Sequence, residues 1–288
     1  MIELKGFSFA YRRTRVFDGI NLQFEKGHIY GLLGENGVGK TTMLKAISGL
    51  LRPTMGSCTV EGFKSFDRKP EFLEKIFFLP DDLPLPDDAT PQRFFREFSV
   101  FYPNPDYQKF EQLSAELHTD PSRKFKEMSL GQQKKALIAC ALALNTEYLL
   151  LDEPTNGLDI PSKSDFRRVL AENVKNGQTI IISTHQVKDV ETLINPIVII
   201  SNNQVMLNAT VERITEKLFF QYGPEQLPNA LYSDMVAGGY VNVLINNGLG
   251  ESQLNLEALF NTVLLQQETI YNLFHNNNSN NNPQNTKL

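Results

Sequence analysis

The chain of 288 residues has no tryptophan, only two cysteines and no excess of basic residues. Cys58 and Cys140 lie too far apart in sequence for a CxxC-type metal or redox motif, so we expect reduced thiols used as small apolar side chains. The 28 Lys and Arg residues are outnumbered by 33 Asp and Glu, giving a formal net charge of -5. This balance argues against a protein that coats nucleic acid through its phosphates, and no nucleic-acid partner is expected.

Long apolar runs are missing as well. No segment approaches the ~20 consecutive apolar residues that a membrane-spanning helix requires. The first thirty residues also lack the order of charged, apolar and small residues that marks a secretory signal. We therefore expect a cytoplasmic protein, with any membrane span supplied by another chain. A hydrophobic content of 41% and a charged content of 21% are typical of a chain that folds into one or two globular domains.

The order of apolar segments predicts an α/β fold with a parallel core sheet. Alternating residues at 2–9 and 16–24 predict an antiparallel strand pair, which would begin a separate β subdomain. Short apolar runs predict further strands at 29–33, 58–61, 76–79, 148–151, 179–182, 197–200 and 204–208. Stretches with helical spacing occur between several of them, at 40–50, 162–175 and 187–193. Strands that alternate with helices are the pattern of a parallel sheet.

Changes in composition and in hydrophobic periodicity divide the chain into segments. Residues 1–210 form one predicted domain, interrupted at about 82–145 by a helical insertion that follows a proline- and aspartate-rich loop. Residues 211–272 form a small C-terminal α/β extension, with a strand at 240–245 and a helix at 255–267. The asparagine-rich end, 273–288, has the composition of a disordered tail.

A glycine-rich loop between the strand at 29–33 and the following helix predicts a phosphate-binding site. Gly34, Gly39, Lys40 and Thr41 fit the Walker A pattern GxxxxGK[ST] in the strand, loop and helix context that it requires. Glycines let backbone N–H groups point at phosphates, and the helix N-terminus adds further donors. Lys40 is expected to bridge the β- and γ-phosphates and Thr41 to bind magnesium. The remaining predicted ATP-binding residues of this segment are Glu35, Asn36, Gly37 and Thr42.

Two adjacent carboxylates end the apolar strand at 148–151. Ligands of open α/β sheets bind at the carboxyl ends of strands, which is where Asp152 and Glu153 stand. Asp152 is expected to bind magnesium, and Glu153 to polarise the water that attacks the γ-phosphate. The sequence therefore predicts Mg-ATP as the ligand and ATP hydrolysis as the reaction.

Three further segments separate this chain from other P-loop proteins. MSLGQQKKALIACAL, LLLDEPTNGLD and IISTH occur in the order found in the ATP-binding subunits of ABC transporters, which the chain resembles over residues 1 to about 210. The resemblance implies a P-loop NTPase of the ABC type. It also implies a dimer, with either a second copy or a paralogous ATPase subunit, that holds two ATP molecules at its interface.

The resemblance assigns roles to individual residues. The signature segment, usually LSGGQ, is 128–132 here, with Leu130 in place of the first glycine. Its residues Ser129, Gly131 and Gln132 would contact the γ-phosphate held by the opposite subunit. Taken alone, the same segment is equally an ordinary helix N-cap. Asp159 falls at the loop that crosses the dimer interface.

Two more residues take roles from the family, and a third departs from it. His185 matches the histidine that contacts the γ-phosphate and orients the attacking water. Tyr11 matches the aromatic residue that stacks on adenine, with Phe9 and Phe17 as neighbouring alternatives. Asp81 stands where the family normally has a glutamine. Its carboxylate would accept a hydrogen bond from the water or bind magnesium, at the expense of added negative charge near the phosphate.

The function that these features imply is ATP hydrolysis that powers a separately encoded membrane permease through ATP-dependent dimerisation. The protein would then lie on the inner face of the cell membrane. The alternative is an ABC ATPase that acts on ribosomes or nucleic acid. A single Walker A segment and a short, proline-broken insertion disfavour it, because such translation factors carry two cassettes and such repair proteins carry a long coiled coil.

Overall fold

The computed structural model describes residues 1–174 and 177–275. Most of the predicted tail, 276–288, and the last residue of one predicted helix, Lys175, lie outside these ranges. The strands of the predicted domain at residues 1–210 are β1 (Ile2–Tyr11), β2 (Thr14–Phe24), β3 (Ile29–Leu33), β4 (Met55–Val60), β5 (Phe63–Lys64), β6 (Ile76–Leu79), β7 (Tyr148–Asp152), β8 (Thr179–Thr184), β9 (Ile197–Ser201) and β10 (Gln204–Ala209). Its helices are α1 (Lys40–Ile47), α2 (Pro70–Leu73), α3 (Pro91–Ser99), α4 (Tyr107–Glu116), α5 (Leu130–Ala143) and α6 (Ile160–Asn173).

The central sheet has the strand order β10-β9-β3-β8-β7-β6. All neighbours from β9 to β6 are parallel, and β10 is added antiparallel at the edge. Strands β7 and β8 are buried along their whole length, which explains their continuous apolar runs. Because these strands are parallel, the residues that follow β3, β7 and β8 meet at one edge of the sheet. The predicted α/β fold with a parallel core sheet is confirmed.

The antiparallel β subdomain has the order β2-β1-β4-β5. Its inward-facing residues share one core with α1 and the central sheet, which brings β1 and β2 close to the glycine-rich loop. Fully buried members of that core include Phe7, Phe17, Met43, Leu44, Ile47 and Ile181. Cys58 lies in the same core and Cys140 in α5; both are buried and free. Burial raises the pKa of the Cys58 thiol to about 11, as expected of an inert apolar side chain.

The helical insertion is formed by α3, α4 and α5 and is held together largely by aromatic residues. Phe95 of α3 stacks on Phe110 of α4 with 4.6 Å between ring centroids. Phe94 of α3 packs edge-on against Phe125. Thr90 caps α3 and Asp106 caps α4, each by accepting a hydrogen bond from a backbone N–H group of the first turn. Such caps fix where the helices begin.

The C-terminal extension contains α7 (Val211–Lys217), β11 (Leu218–Gly223), β12 (Tyr232–Val236), β13 (Gly239–Ile245), α8 (Leu256–Leu265) and α9 (Gln267–His275). The strands pair antiparallel in the order β11-β13-β12. Residues 273–275, assigned from composition to the tail, form the end of α9. Phe274 is buried in a hydrophobic cluster that also contains residues of the central sheet. This packing explains why the end of α9 is ordered although its composition resembles that of the tail.

One predicted helix is wrong. Residues 187–193 form only the 3₁₀ turn Val187–Asp189 followed by a second tight turn, in which the N–H of Leu193 donates to the carbonyl of Val190. Val187 and Val190 are both buried, and the chain then joins the sheet through the N–H of Asn195, which donates to the carbonyl of Ile29. Across the ranges that the structure covers, no helix is both long and apolar enough to cross a bilayer.

Candidate functional site

The glycine-rich loop runs from the end of β3 to the start of α1 and leaves no room for side chains at two of its glycines. A Cβ added at Gly34 would lie 2.8 Å from the carbonyl oxygen of Ile200. At Gly39, where φ is +111°, it would lie 2.6 Å from Val16 and 2.8 Å from Phe17. Gly39 precedes α1, and among the described residues no side chain caps this helix. The N–H groups of its first turn therefore remain available to an anion.

Lys40, the first residue of α1, turns back over this loop. Its side chain is only 6% exposed. Its ammonium donates to the carbonyls of Gly34 at 2.8 Å and Glu35 at 3.2 Å, and lies 3.4 Å from Oε1 of Glu153. Burial lowers the pKa of Lys40, and the nearby Glu153 carboxylate opposes that shift. The loop thus concentrates a cation and free N–H groups around one small volume.

The hydroxyl of Thr41 lies against the carboxylate that ends β7. Thr41 Oγ1 donates to Oδ2 of Asp152 at 2.7 Å, and the Ser183 hydroxyl of β8 donates to Oδ1. Asp152 is 3% exposed. The structure therefore brings together two of the three residues predicted to bind magnesium, Thr41 and Asp152. Ser183 was missed by the sequence analysis, although a serine inside the apolar run of β8 is the kind of signal that could have revealed it.

Glu153 has an unusual backbone conformation, with φ at +45°. Its N–H donates to the carbonyl of Ser183 at 3.0 Å, and its Oε1 is 2.9 Å from Nδ1 of His185. Oε2 is buried, and no described residue donates a hydrogen bond to it. A buried acceptor without a partner is rare and has a high desolvation cost. Glu153 and His185 are thus in direct contact, whereas the sequence analysis placed both residues at the attacking water and predicted no bond between them.

The signature segment has the geometry of a helix cap. Ser129 Oγ accepts from the N–H of Gln132 at 3.3 Å, and Gln132 Oε1 accepts from the N–H of Ser129 at 3.0 Å. This is the reciprocal arrangement of a capping box. Ser129 is exposed, and Leu130 is 80% exposed. A Cβ at Gly131 would lie 3.3 Å from the carbonyl oxygen of Gly157, which is a tight contact.

Asp159 caps α6 by accepting from the N–H of Ser162 at 3.0 Å. That hydrogen bonding lowers the pKa of Asp159. Of the three candidate adenine-stacking residues, Phe9 and Phe17 are buried, whereas Tyr11 is 48% exposed. Tyr11 packs edge-on against Phe9 with 4.8 Å between ring centroids. Tyr11 is therefore the candidate whose ring face is accessible to a base.

Asp81 does not join the other acidic residues of the site. Its Oδ1 accepts from the ammonium of Lys134 at 2.6 Å, and its Oδ2 accepts from the amide of Asn156 at 3.2 Å. Both carboxylate oxygens are therefore bound by protein groups, and the charge is paired. Magnesium or water bound by Asp81, as expected from the sequence, would share these oxygens with Lys134 and Asn156, because each carboxylate oxygen has two lone pairs. Lys134 and Asn156 were not identified from the sequence, because neither belongs to a motif whose chemistry points to this contact.

Comparison with known proteins agrees with this geometry. The family model described as "ABC transporter" matches residues 17–156. The ABC transporter ATP-binding protein NatA of Bacillus subtilis is 32% identical over 203 residues, which cover 68% of this chain and 82% of NatA. The uncharacterized ABC transporter ATP-binding protein YybJ of the same organism is 34% identical over 197 residues, covering 67% of this chain and 89% of YybJ.

A solved structure described as the ATP binding subunit of an ABC transporter superposes with a TM-score of 0.66 and 25% identity, covering 74% of this chain and 91% of the other. The dimeric ABC transporter cassette MJ0796 also has a TM-score of 0.66, and at 23% identity it supports the fold. The geometry of the phosphate loop and of the two adjacent carboxylates points to the same family as these relatives. The chain belongs to the ABC transporter family, as one of its ATP-binding and ATP-hydrolysing subunits.

Proposed function

We propose that two copies of this chain close head to tail around two ATP molecules, and that hydrolysis drives a separately encoded membrane permease. The unpaired Oε2 of Glu153, held beside Lys40 and His185, is the observation that carries the hydrolytic part of this proposal. It supplies a buried base next to a phosphate loop. The other residues of the site would position the phosphates and a water molecule around that oxygen.

Phosphate binding uses groups that are already gathered. The N–H groups of the first turn of α1, including that of Thr42, would donate to the phosphates, together with those of Glu35, Asn36 and Gly37 in the loop. Lys40 would exchange its bonds to the carbonyls of Gly34 and Glu35 for bonds to phosphate oxygens. A cation enclosed by protein interacts more strongly with phosphate than one in water. Tyr11 would stack on the adenine.

The residues at the end of β7 fit a magnesium ion. Mg²⁺ is usually bound by one or two carboxylates together with substrate phosphates and waters, so a large protein cage is not required. Among the residues described, no group of three or more His, Cys, Asp or Glu side chains could hold a metal. Thr41 and Asp152 would hold the ion between them, and Ser183 would fix the Asp152 carboxylate. When bound, Mg²⁺ neutralises charge on the β- and γ-phosphates.

Hydrolysis requires a water aligned with the γ-phosphate. Glu153 Oε2 would accept a proton from that water as its oxygen attacks phosphorus, and the bond between the γ-phosphorus and the bridging oxygen to the β-phosphate breaks. ADP and inorganic phosphate leave. The contact from His185 Nδ1 to Oε1 fixes the orientation of the carboxylate. A base preoriented in a buried site avoids reorganisation during the reaction.

The dimer would be completed by the capped end of α5. Ser129, Gly131 and Gln132 would face the γ-phosphate bound by the partner, and Asp159 would lie near the interface. The helix N-terminus carries a partial positive charge that favours an anion. ATP then binds the closed dimer better than the open monomer, and this difference in affinity drives closure.

The permease would dock on an apolar groove between the helical insertion and the core. The apolar residues that line this cavity of about 590 Å³ include Leu50, Leu73, Phe78, Phe98, Phe101 and Tyr102. Leu50 and Phe101 are strongly exposed, and exposed apolar surfaces of this kind mark interaction sites. An amphipathic helix from a cytoplasmic loop of the permease is the partner that fits such a groove. Docking would place the protein on the inner face of the membrane.

The catalytic part of the proposal is tested by separating binding from hydrolysis. Glu153→Gln keeps the size of the side chain but removes the base, so we expect normal ATP affinity and loss of hydrolysis. Lys40→Ala should instead abolish measurable nucleotide binding in calorimetry. Hydrolysis by Glu153→Gln within twofold of the wild-type rate would contradict the role given to Glu153.

A further inference from the structure

Lys134 lies in the second turn of α5 and connects segments that are distant in sequence. Its side chain is 14% exposed. The ammonium donates to Oδ1 of Asp81 at 2.6 Å, to the carbonyl of Glu153 at 3.0 Å and to the carbonyl of Asn156 at 3.1 Å. Lys has three donors, and each has an acceptor here. The ammonium is therefore fixed in position by its partners.

The acceptors belong to two different loops. Asp81 follows β6 and leads into the helical insertion, whereas Glu153 and Asn156 follow β7 at the catalytic edge of the sheet. The amide of Asn156 donates to Oδ2 of Asp81 at 3.2 Å and closes the ring of contacts. One side chain of the insertion thus bonds directly to the backbone that carries the general base.

That backbone is under strain. A φ of +45° is uncommon for a residue with a side chain, and such a conformation persists only where its surroundings hold it. On its amino side, the N–H of Glu153 donates to the carbonyl of Ser183 at 3.0 Å. On its carboxyl side, the carbonyl accepts from Lys134 at 3.0 Å. Hydrogen bonds from a charged donor are the stronger kind.

We propose that Lys134 is a positioning residue for ATP hydrolysis, which keeps the Glu153 peptide in its left-handed conformation and so aims the Glu153 carboxylate. Asp81 keeps the ammonium over the Glu153 carbonyl. This inference rests on the proposed function, since it takes Glu153 to be the base. It also gives Asp81 a role in this chain that differs from binding magnesium or water. The helical insertion, through α5 and Asp81, thereby acts on the geometry of the catalytic carboxylate.

The competing explanation is that Lys134 and Asp81 form an ion pair that only stabilises the fold. The two explanations differ in what they require of position 134. A structural pair needs opposite charges in either order, whereas positioning needs a donor at 134 that reaches a carbonyl. An aspartate at 134 cannot donate to the carbonyl of Glu153.

The test measures kcat, KM and directly determined ATP affinity for the full-length chain and its variants. Lys134→Met keeps the length of the side chain but removes its donors, and we expect kcat to fall about tenfold while ATP affinity stays within about twofold. Asp81→Asn, which leaves the carbonyl bonds intact, should lower kcat less. Lys134→Arg, which retains donors, should recover part of the rate. The matched control is Lys126→Met, which removes an exposed ion pair with Asp88 at 2.8 Å on the insertion and should leave kcat unchanged.

The charge-reversed double variant, Lys134→Asp with Asp81→Lys, separates the explanations. Positioning predicts that kcat stays low, and a return of kcat to the wild-type value would overturn the proposal. In the Glu153→Gln background, Lys134→Met should cause no further loss of residual hydrolysis, because the base that it positions is gone. A further loss as large as in the wild type would also overturn it. If Glu153→Gln itself hydrolyses ATP at the wild-type rate, the proposed function is wrong. If Glu153→Gln is inactive but Lys134→Met has the wild-type kcat, only the role given to Lys134 is wrong.

Discussion

The hydroxyl of Thr41 donates a 2.7 Å hydrogen bond to Oδ2 of Asp152, joining the first turn of α1 to the end of β7 across 111 positions of sequence. The bond exists because β3 and β7 both end at the same edge of a parallel sheet, with β8 between them. Ser183 of β8 completes the arrangement by donating to the other oxygen of Asp152. The sheet itself therefore aligns the residues that we propose as magnesium ligands.

Replacing Thr41 tests this arrangement. Thr41→Val keeps the shape of the side chain but removes an oxygen ligand, so we expect the Mg²⁺ concentration needed for half-maximal ATP hydrolysis to rise about tenfold or more. Magnesium titrations at fixed ATP measure it. Thr54→Val is the matched control, because Thr54 donates only to the carbonyl of Ser8 away from the site. Equal magnesium requirements for Thr41→Val and the wild type would contradict the assignment of Thr41.

The phosphate loop depends on the absence of a side chain at Gly39. Gly39→Ala forces an L-residue to φ +111° and drives its Cβ against Val16 and Phe17. We expect the free energy of unfolding to fall by about 2 kcal/mol and ATP affinity to fall with it. Denaturant unfolding and calorimetry measure the two effects.

Gly62→Ala is the control for this substitution. Gly62 has φ +79° but open space around the added Cβ among the described atoms, and it lies outside the loop. It should therefore show the cost of the positive φ alone, with ATP affinity unchanged. Equal losses of ATP affinity in the two variants would show that the close approach at Gly39 has no special role.

A charged side chain introduced into the apolar groove tests whether the permease docks there. Phe101→Glu places a carboxylate in the proposed docking surface, so we expect the chain to be lost from washed membranes of cells that contain its permease while its ATPase rate in solution is retained. Met55→Glu is a control of the same exposure, since Met55 is 71% exposed and Phe101 72% exposed. Met55 lies on the antiparallel β subdomain. Membrane retention of Phe101→Glu at the level of Met55→Glu would argue against this groove.

Much of the fold could be predicted from the sequence because its signals are local. Buried parallel strands such as β7 and β8 are uninterrupted apolar runs, and the glycine-rich loop is marked by its own composition. The helix expected at 187–193 failed because buried Val187 and Val190 fit a turn against the core as well as a helix face. Strand β12 was missed, since none of its residues is fully buried, and β11 was missed although Leu218 and Phe220 are buried.

Site residues could be predicted from the sequence where they belong to a motif of known chemistry. The structure brings Lys40, Asp152, Glu153 and His185, each assigned to the site from such a motif, to one edge of the sheet. The contacts of Lys134 were not predictable, because they depend on how α5 packs beside two loops that are distant in sequence. For the same reason the sequence showed that Asp81 is unusual but not which partner pairs with its charge.

The central claim is that ATP is held between two copies of this chain. Light scattering coupled to size-exclusion chromatography of Glu153→Gln, with and without Mg-ATP, tests it most directly. We expect one chain per particle without nucleotide and two chains per particle with Mg-ATP, because ATP persists at the interface when the base is removed. Particles of a single chain that nevertheless retain bound ATP under these conditions would contradict it.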